Sequence, residues 1–293
     1  YATAADFGLS SNGTAEAKSY FASNLCVSED VAIGTDSTDS QVAEGAGTFN
    51  LETNTVVYAK NLYERLYPAS TTKILTAYIA LKYCDDLDAM VTVSENAVNQ
   101  ASDSSVCNLK AGDVIRLRDL LYGLMLRSGN DAAVAIAEYI SGDVDSFAAL
   151  MNQEAAAMGA TRSHFVNPNG LPDENHYTCV YDMYLIFSNA IKNDTFVSII
   201  GTTSYDVTYT DASGEAVTHT WENTNQYLTG NATTPDGFQI VGGKTGTTGE
   251  AGYCLVLYSY NPSGQPIISI VFKADGKSNL YLLMNEMLQG FAI

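Results

Sequence analysis

Basic residues are scarce in this 293-residue chain: 14 Lys plus Arg stand against 33 Asp plus Glu, a formal net charge of −19. Nucleic acid and anionic membrane surfaces are bound through Lys and Arg, so both are excluded as partners of the chain's own surface. Histidine is scarcer still, with only His164, His176 and His219, and there is no His-Glu-x-x-His. The five cysteines (Cys26, Cys84, Cys107, Cys179, Cys254) include no Cys-x-x-Cys pair. Neither a metal site nor a cofactor is therefore expected. An odd cysteine count leaves at least one thiol outside any intrachain disulfide, and most read as buried small hydrophobes. No Gly-x-Ser-x-Gly elbow is present, which argues against an α/β-hydrolase triad. Apolar runs such as Leu120–Leu126 and Ile267–Phe272 fall far short of the ~18 residues of a membrane span. The nearest phosphate-loop candidate, Gly237 to Lys244, has one residue too many between its first glycine and its Gly-Lys pair.

What remains is an ordinary globular composition, 46% hydrophobic, long enough for one large domain or two smaller ones. Residues 1–39 are rich in Ala, Ser, Asp and Gly and read as a loosely structured lead-in. The chain opens on Tyr1, so an initiator and any leader are expected to lie outside it. From there, 40–293 reads as a single domain, with an α/β part over 40–84 and 195–293 and a helical part over 85–194. Gly47–Leu51 and Thr55–Lys60 are expected as strands around a turn at Glu52–Asn54. Pro68 opens a helix carrying Ile74, Ala77, Tyr78 and Leu81 on one face. Leu117, Leu120, Leu121 and Leu124 make a second helical face, and Ala133, Ile136, Ala137 and Ile140 a third. Phe147, Leu150, Met151 and Met158 make a fourth, ended by Gly159. Period two then takes over in Tyr205–Thr210 and Ala216–Trp221, in Phe238–Gly243, and in Tyr253–Tyr260 and Pro266–Ala274. Leu280–Leu288 closes as an amphipathic helix. The expected fold is α/β: an antiparallel sheet from both chain ends, flanked by helices, with an inserted mainly helical subdomain.

Three short constellations could carry chemistry. They are Pro68-Ala69-Ser70-Thr71-Thr72-Lys73, Ser128-Gly129-Asn130-Asp131, and Gly243-Lys244-Thr245-Gly246-Thr247. Ser-x-Asn recurs at Ser10/Asn12 and Ser94/Asn96 and means little alone, whereas Lys73 is the only one of nine lysines with a serine three positions before it. Ser70 falls at a helix start, where backbone N–H groups and the positive dipole end suit an attacking oxygen that becomes an oxyanion. Lys73 lies one turn on and can act as base only with a lowered pKa, which burial or a second cation such as Lys244 supplies.

Ser-x-x-Lys, a Ser-x-Asn and Lys-Thr-Gly in this order are the signature of penicillin-recognising enzymes. Longer stretches agree. Arg65-Leu-Tyr-Pro-Ala-Ser-Thr-Thr-Lys, Leu126-Arg-Ser-Gly-Asn-Asp-Ala-Ala, Phe165-Val-Asn-Pro-Asn-Gly-Leu-Pro with His176-Tyr-Thr, and Gly243-Lys-Thr-Gly-Thr-Thr resemble the low-molecular-mass penicillin-binding proteins, the serine D-alanyl-D-alanine carboxypeptidases. The resemblance spans about residues 40–290. It implies the β-lactamase/transpeptidase-like fold and a bacterial, extracytoplasmic enzyme that trims D-alanine from peptidoglycan stem pentapeptides and is acylated by β-lactam antibiotics.

Residue by residue, the resemblance implies Ser70 as nucleophile, Lys73 as general base and Ser128 as proton relay to the leaving amine. Asn130 would bind the substrate backbone, Lys244 would set the electrostatics, and Thr245 and Thr247 would hold the terminal carboxylate. Gly246 would let the strand approach the substrate, and the N–H groups of Ser70 and Thr247 would form the oxyanion hole. A class A β-lactamase would carry Glu-x-x-Leu-Asn in the loop at 163–177, which holds only Glu174, a solvated charge by expectation. A β-lactamase and a penicillin-recognising sensor without turnover stand as alternatives. Membrane association is expected only through parts outside this chain.

Overall fold

The computed structural model describes residues 24–293. The first hairpin joins strands β1 (Ala43–Asn50) and β2 (Thr55–Lys60). Its turn is held by the Asn50 carboxamide oxygen, which accepts from the N–H groups of Glu52 and Thr53 at 3.0 and 3.1 Å. From the far end of the chain come β7 (Gln239–Thr248), β8 (Gly252–Tyr260) and β9 (Pro266–Ala274). The five strands form one antiparallel sheet in the order β2-β1-β9-β8-β7, with Ala46 opposite Val271 across the join. The sheet is thus made from both chain ends, as the sequence implies.

Both faces of this sheet are covered. Helix α9 (Lys277–Phe291) lays Leu280, Leu283, Met284 and Met287 on Leu257 and Val271. The opposite face, with Val256, Ile268, Ile270 and Phe272, belongs to the larger core shared with the helical part. Neighbouring strand residues point to opposite faces, so burial on both sides makes Ile267–Phe272 nearly continuous in apolar character. Each such side chain contributes about 1.5–3 kcal/mol on burial, which makes the sheet a rigid backing for the strand that carries Lys244.

The helical part is built around α1 (Lys73–Tyr83), which packs on α4 (Asn130–Ser141), α5 (Val144–Ala157) and α6 (Val180–Ala190). Shorter helices α2 (Glu95–Val98), α3 (Leu117–Tyr122) and α7 (Asp194–Ile200) complete it, whereas α8 (Gln226–Thr229) lies on the sheet side, its Tyr227 packed with α9. Ile74 and Ala77 are fully buried on α1, whereas Tyr78 and Leu81 are only partly so.

Two expectations need correction. The hairpin β5 (Ser204–Thr210) and β6 (Ala216–Glu222) does not join the main sheet. It forms a second sheet, in the order β3-β4-β5-β6, with β3 (Met90–Thr92) and β4 (Val114–Arg116), both inside the segment expected to be helical. Strands of three residues are too short to show a period of two, and β4 meets β5 only at Val114 opposite Thr210. The second correction concerns the lead-in. Residues 1–23 lie outside the described residues, but 24–39 is not loose. Cys26 is buried, its N–H donates to the Tyr184 hydroxyl at 2.9 Å, and its carbonyl accepts from the Tyr181 hydroxyl at 2.8 Å. Those anchors lie more than 150 positions away, beyond the reach of local periodicity.

All five cysteines are free thiols, four of them buried and Cys84 half-buried. Among the described residues no helix is long and apolar enough to cross a membrane.

Candidate active site

Ala69, at φ +47°, turns the chain into a single 3-10 turn (Ala69–Thr72) that runs on into α1. The Pro68 carbonyl closes that turn by accepting from both the N–H and the hydroxyl of Thr71, at 3.2 and 2.7 Å. Ser70 is thereby presented at the N-terminal end of the helix, with Lys73 one turn on and on the same side. The Lys73 ammonium is fully buried and has three partners: Ser70 Oγ at 3.0 Å, Asn130 Oδ1 at 2.8 Å and the Asn169 carbonyl at 2.7 Å. Burial, and then the neighbouring Lys244 charge, hold the Lys73 pKa well below the usual lysine range. A lysine so placed can hold a free amine and take the Ser70 proton.

The second constellation arrives from a strained segment. A π-helical turn over Gly123–Arg127 ends on Ser128 in the left-handed region, at φ +61°. That conformation aims Ser128 Oγ at Lys244 Nζ, 3.0 Å away. Asn130 opens α4, and its N–H bonds the Ser105 carbonyl at 2.8 Å. Behind it the Asp131 carboxylate, 1% exposed, is satisfied by the N–H groups of Cys107, Leu109 and Ala132 at 2.9 to 3.1 Å. It pins Cys107 and Leu109, just beyond the cleft-lining Ser105, to the motif.

Lys244 is also buried, and burial pushes its pKa down to about 7. Its ammonium bonds Ser128 Oγ and its neighbour's carbonyl, that of Thr245, at 2.8 Å. The Thr245 hydroxyl pairs with that of Thr224. Gly246 is required by a close approach: a Cβ there would lie 2.9 Å from the Ser70 nitrogen and 3.1 Å from the Pro68 carbonyl oxygen. Only glycine lets β7 run this tightly along the nucleophile turn.

A cleft of about 410 Å³ opens over Ser70, with Asn130, Asn169, Leu171 and Thr247 in its walls. A smaller hollow of about 170 Å³ continues past Ser70 and Thr247 along Ser128, Thr245 and Gly246 to Lys277. Ser70, Lys73, Ser128, Asn130, Lys244, Thr245, Gly246 and Thr247 therefore converge on one place. Glu174 is exposed and does not line the cleft; its backbone carbonyl accepts from Arg65 at 2.9 Å. Several contributors were given no role from sequence: the Asn169 carbonyl and Asp131, both inside quoted stretches, together with Thr224 and the cleft carboxylates Asp103 and Glu250. Asn169-Gly170 carries a turn signal, but a main-chain acceptor leaves no trace in residue type.

A serine–lysine pair on one helical turn faces a second serine–lysine pair across a cleft between sheet and helices, an arrangement whose chemistry suits serine acyl transfer. The chain belongs to the D-alanyl-D-alanine carboxypeptidase family, which it matches over residues 34–276. It is 34% identical over 251 residues to the D-alanyl-D-alanine carboxypeptidase DacF of Bacillus subtilis, covering 84% of this chain and 61% of that one. It is also 34% identical over 265 residues to a D-alanyl-D-alanine carboxypeptidase of a Streptomyces species, covering 86% and 88%. The crystal structure of a Streptomyces DD-transpeptidase superposes with a TM-score of 0.79 at 33% identity, over 86% of this chain and 98% of that one. The carboxypeptidase DacD of Francisella tularensis gives 0.76 at 28%, over 90% and 73%. The chain thus spans less than two thirds of the Bacillus relative and most of the Streptomyces one.

Proposed function

We propose that the protein removes the terminal D-alanine of peptidoglycan stem pentapeptides through an acyl-enzyme at Ser70. The observation that carries this reading is the 3.0 Å contact between Lys73 Nζ and Ser70 Oγ at the floor of the cleft. Ser70 Oγ attacks the carbonyl between the two D-alanines as Lys73 takes its proton. Ser128, bonded to Lys244, returns a proton to the leaving amine. The Asn130 amide holds the peptide backbone, and Lys244, Thr245 and Thr247 receive the carboxylate. Gly246 leaves room for the N–H groups of Ser70 and Thr247 to face the developing oxyanion, each such donor contributing about 3 kcal/mol in acyl transfer generally. Water then cleaves the ester. β-Lactams acylate the same serine, and a wall substrate places the enzyme outside the cytoplasmic membrane of a bacterium.

Transfer of the acyl group to an amine is a second reading, favoured by the printed name of the Streptomyces structure, a DD-transpeptidase. One assay separates them. A peptide ending in D-alanyl-D-alanine is incubated with the protein, with and without excess glycine, and products are resolved by mass. Free D-alanine and the shortened peptide in both mixtures support hydrolysis. A glycine-capped product that displaces the shortened peptide supports transfer, and no D-alanine in either refutes both.

A further inference from the structure

His176 is fully buried and has no place in the chemistry just described. Its ring lies between the nucleophile turn and the loop that bears the Asn169 carbonyl. Nδ1 accepts from the Val166 N–H at 3.1 Å, so the ring proton sits on Nε2 and donates to the Thr72 hydroxyl at 2.9 Å. Thr72 immediately precedes Lys73. The same loop meets the same turn three more times. Thr76 Oγ1 donates to the Pro168 carbonyl at 2.6 Å, and Lys73 Nζ to the Asn169 carbonyl at 2.7 Å. Gly170 lies so near that a Cβ on it would fall 1.8 Å from the Ala69 carbonyl oxygen. Val166, at the head of the loop, is tied to the turn through the imidazole.

We propose that His176 is a positioning residue for acylation: it clamps the loop onto the nucleophile turn through Thr72 and Val166, and so holds the Asn169 carbonyl where it aims Lys73 Nζ at Ser70. This rests on the reading of Lys73 as the base of a Ser70 acyl-enzyme. The competing role is that of a filler, packed edge-on against Phe165 at 5.4 Å between centroids. A filler tolerates any ring of its size, whereas a clamp requires both nitrogens.

The clamp has a signature in pH. The charged and titratable groups around Lys73 are Lys244, Asp131 and Cys107, and those around His176 are Asp173, His164 and Lys73. Burial holds His176 down to about 4, so the ring is neutral wherever the enzyme works. The Asn169 carbonyl stabilises the ammonium form of Lys73. Letting the loop drift changes both the burial of Lys73 and its Asn169 contact, so the acid limb of acylation, which follows formation of the free amine, leaves its wild-type position as the rate falls.

The test is the second-order rate of acylation by benzylpenicillin, read by intact-protein mass across the acid limb, in wild type, His176→Gln, His176→Phe and Thr72→Val. Urea unfolding of each variant reports the folded fraction. His176→Phe keeps a ring and loses both bonds; we expect acylation about 10-fold or more slower, with the limb displaced from its wild-type position. Thr72→Val breaks the same clamp from the other side and should reproduce that shift even where the Phe variant folds poorly. Gln can accept from Val166 and donate to Thr72, and should recover most of the rate. Wild-type rate and limb in Thr72→Val or in folded His176→Phe overturn the clamp, as does a slowing that merely tracks the unfolded fraction. A wild-type protein that forms no adduct refutes the acyl-enzyme reading itself, and the clamp with it.

Discussion

Lys73 Nζ and Asn130 Oδ1 meet at 2.8 Å although 57 positions separate them in the chain. This contact ties the nucleophile helix to the start of α4, and with the Lys244–Ser128 bond it makes two serine–lysine pairs into one site. Among the described residues neither buried lysine has a carboxylate within ion-pair distance, and for each burial is the leading cause of a lowered pKa. The site spends folding stability on two costly amines, and the chemistry depends on that cost.

The first prediction concerns the base. Lys73→Ala removes the proposed acceptor of the Ser70 proton, and general-base effects run to about 10²–10⁴-fold. Acylation by benzylpenicillin, followed by stopped-time mass measurement, should fall within that range. A rate within a factor of about three of wild type would move the base elsewhere.

The second concerns Lys244 and pH. Its pKa in the folded protein is about 7, so the ammonium is present below that value and lost as pH rises through it. A substrate carboxylate is attracted only by the charged form, so kcat/KM for a free-acid peptide should decline above about pH 7. The same peptide amidated at its C-terminus lacks this attraction and should show no such decline. Equal alkaline limbs for acid and amide would show that Lys244 does not read the carboxylate.

Gly246 offers a steric test. A methyl group added there meets the Ser70 nitrogen at 2.9 Å and must push β7 off the nucleophile turn. Gly246→Ala should retain a cooperative urea transition while acylation drops by about 10²-fold, the scale of an ångström's misplacement. Wild-type acylation would mean that the strand yields at no cost to the site.

Asp131 is a stability prediction. Its buried carboxylate satisfies three backbone N–H groups, and Asp131→Ala leaves them without acceptors in a dry interior. The loss should be about 3 kcal/mol or more, seen as a lowered urea midpoint. Because Cys107 and Leu109 follow the cleft-lining Ser105 closely, acylation should weaken as well. An unchanged midpoint would mean that other groups or water replace the carboxylate.

Much of this was legible in the chain. β8 and β9 announce themselves as short apolar runs between turn residues because both their faces are buried, α9 does so by its helical period, and Ser70, Lys73 and Lys244 stand in rare local patterns. What was hidden depends on distance in sequence. β3 and β4 are too short to carry a period, and β5–β6 chose them over the main sheet by contacts no local window contains. Cys26 is fastened by Tyr181 and Tyr184, and Lys73 is aimed by the main-chain oxygen of Asn169, which any residue type could supply. Asp131 stood inside a quoted motif, but its work, holding the backbone of a loop that is remote in sequence, shows only in three dimensions.

The central claim is that Ser70 carries the acyl group, and one measurement addresses it directly. Wild type and Ser70→Ala are mixed with excess benzylpenicillin, and their intact and peptide masses are followed over time. The account predicts a penicilloyl adduct on wild type, localised to the peptide containing Ser70, and none on the variant, whose urea midpoint stays near that of wild type. An adduct of equal occupancy on Ser70→Ala, or one mapped to another residue of wild type, would contradict it.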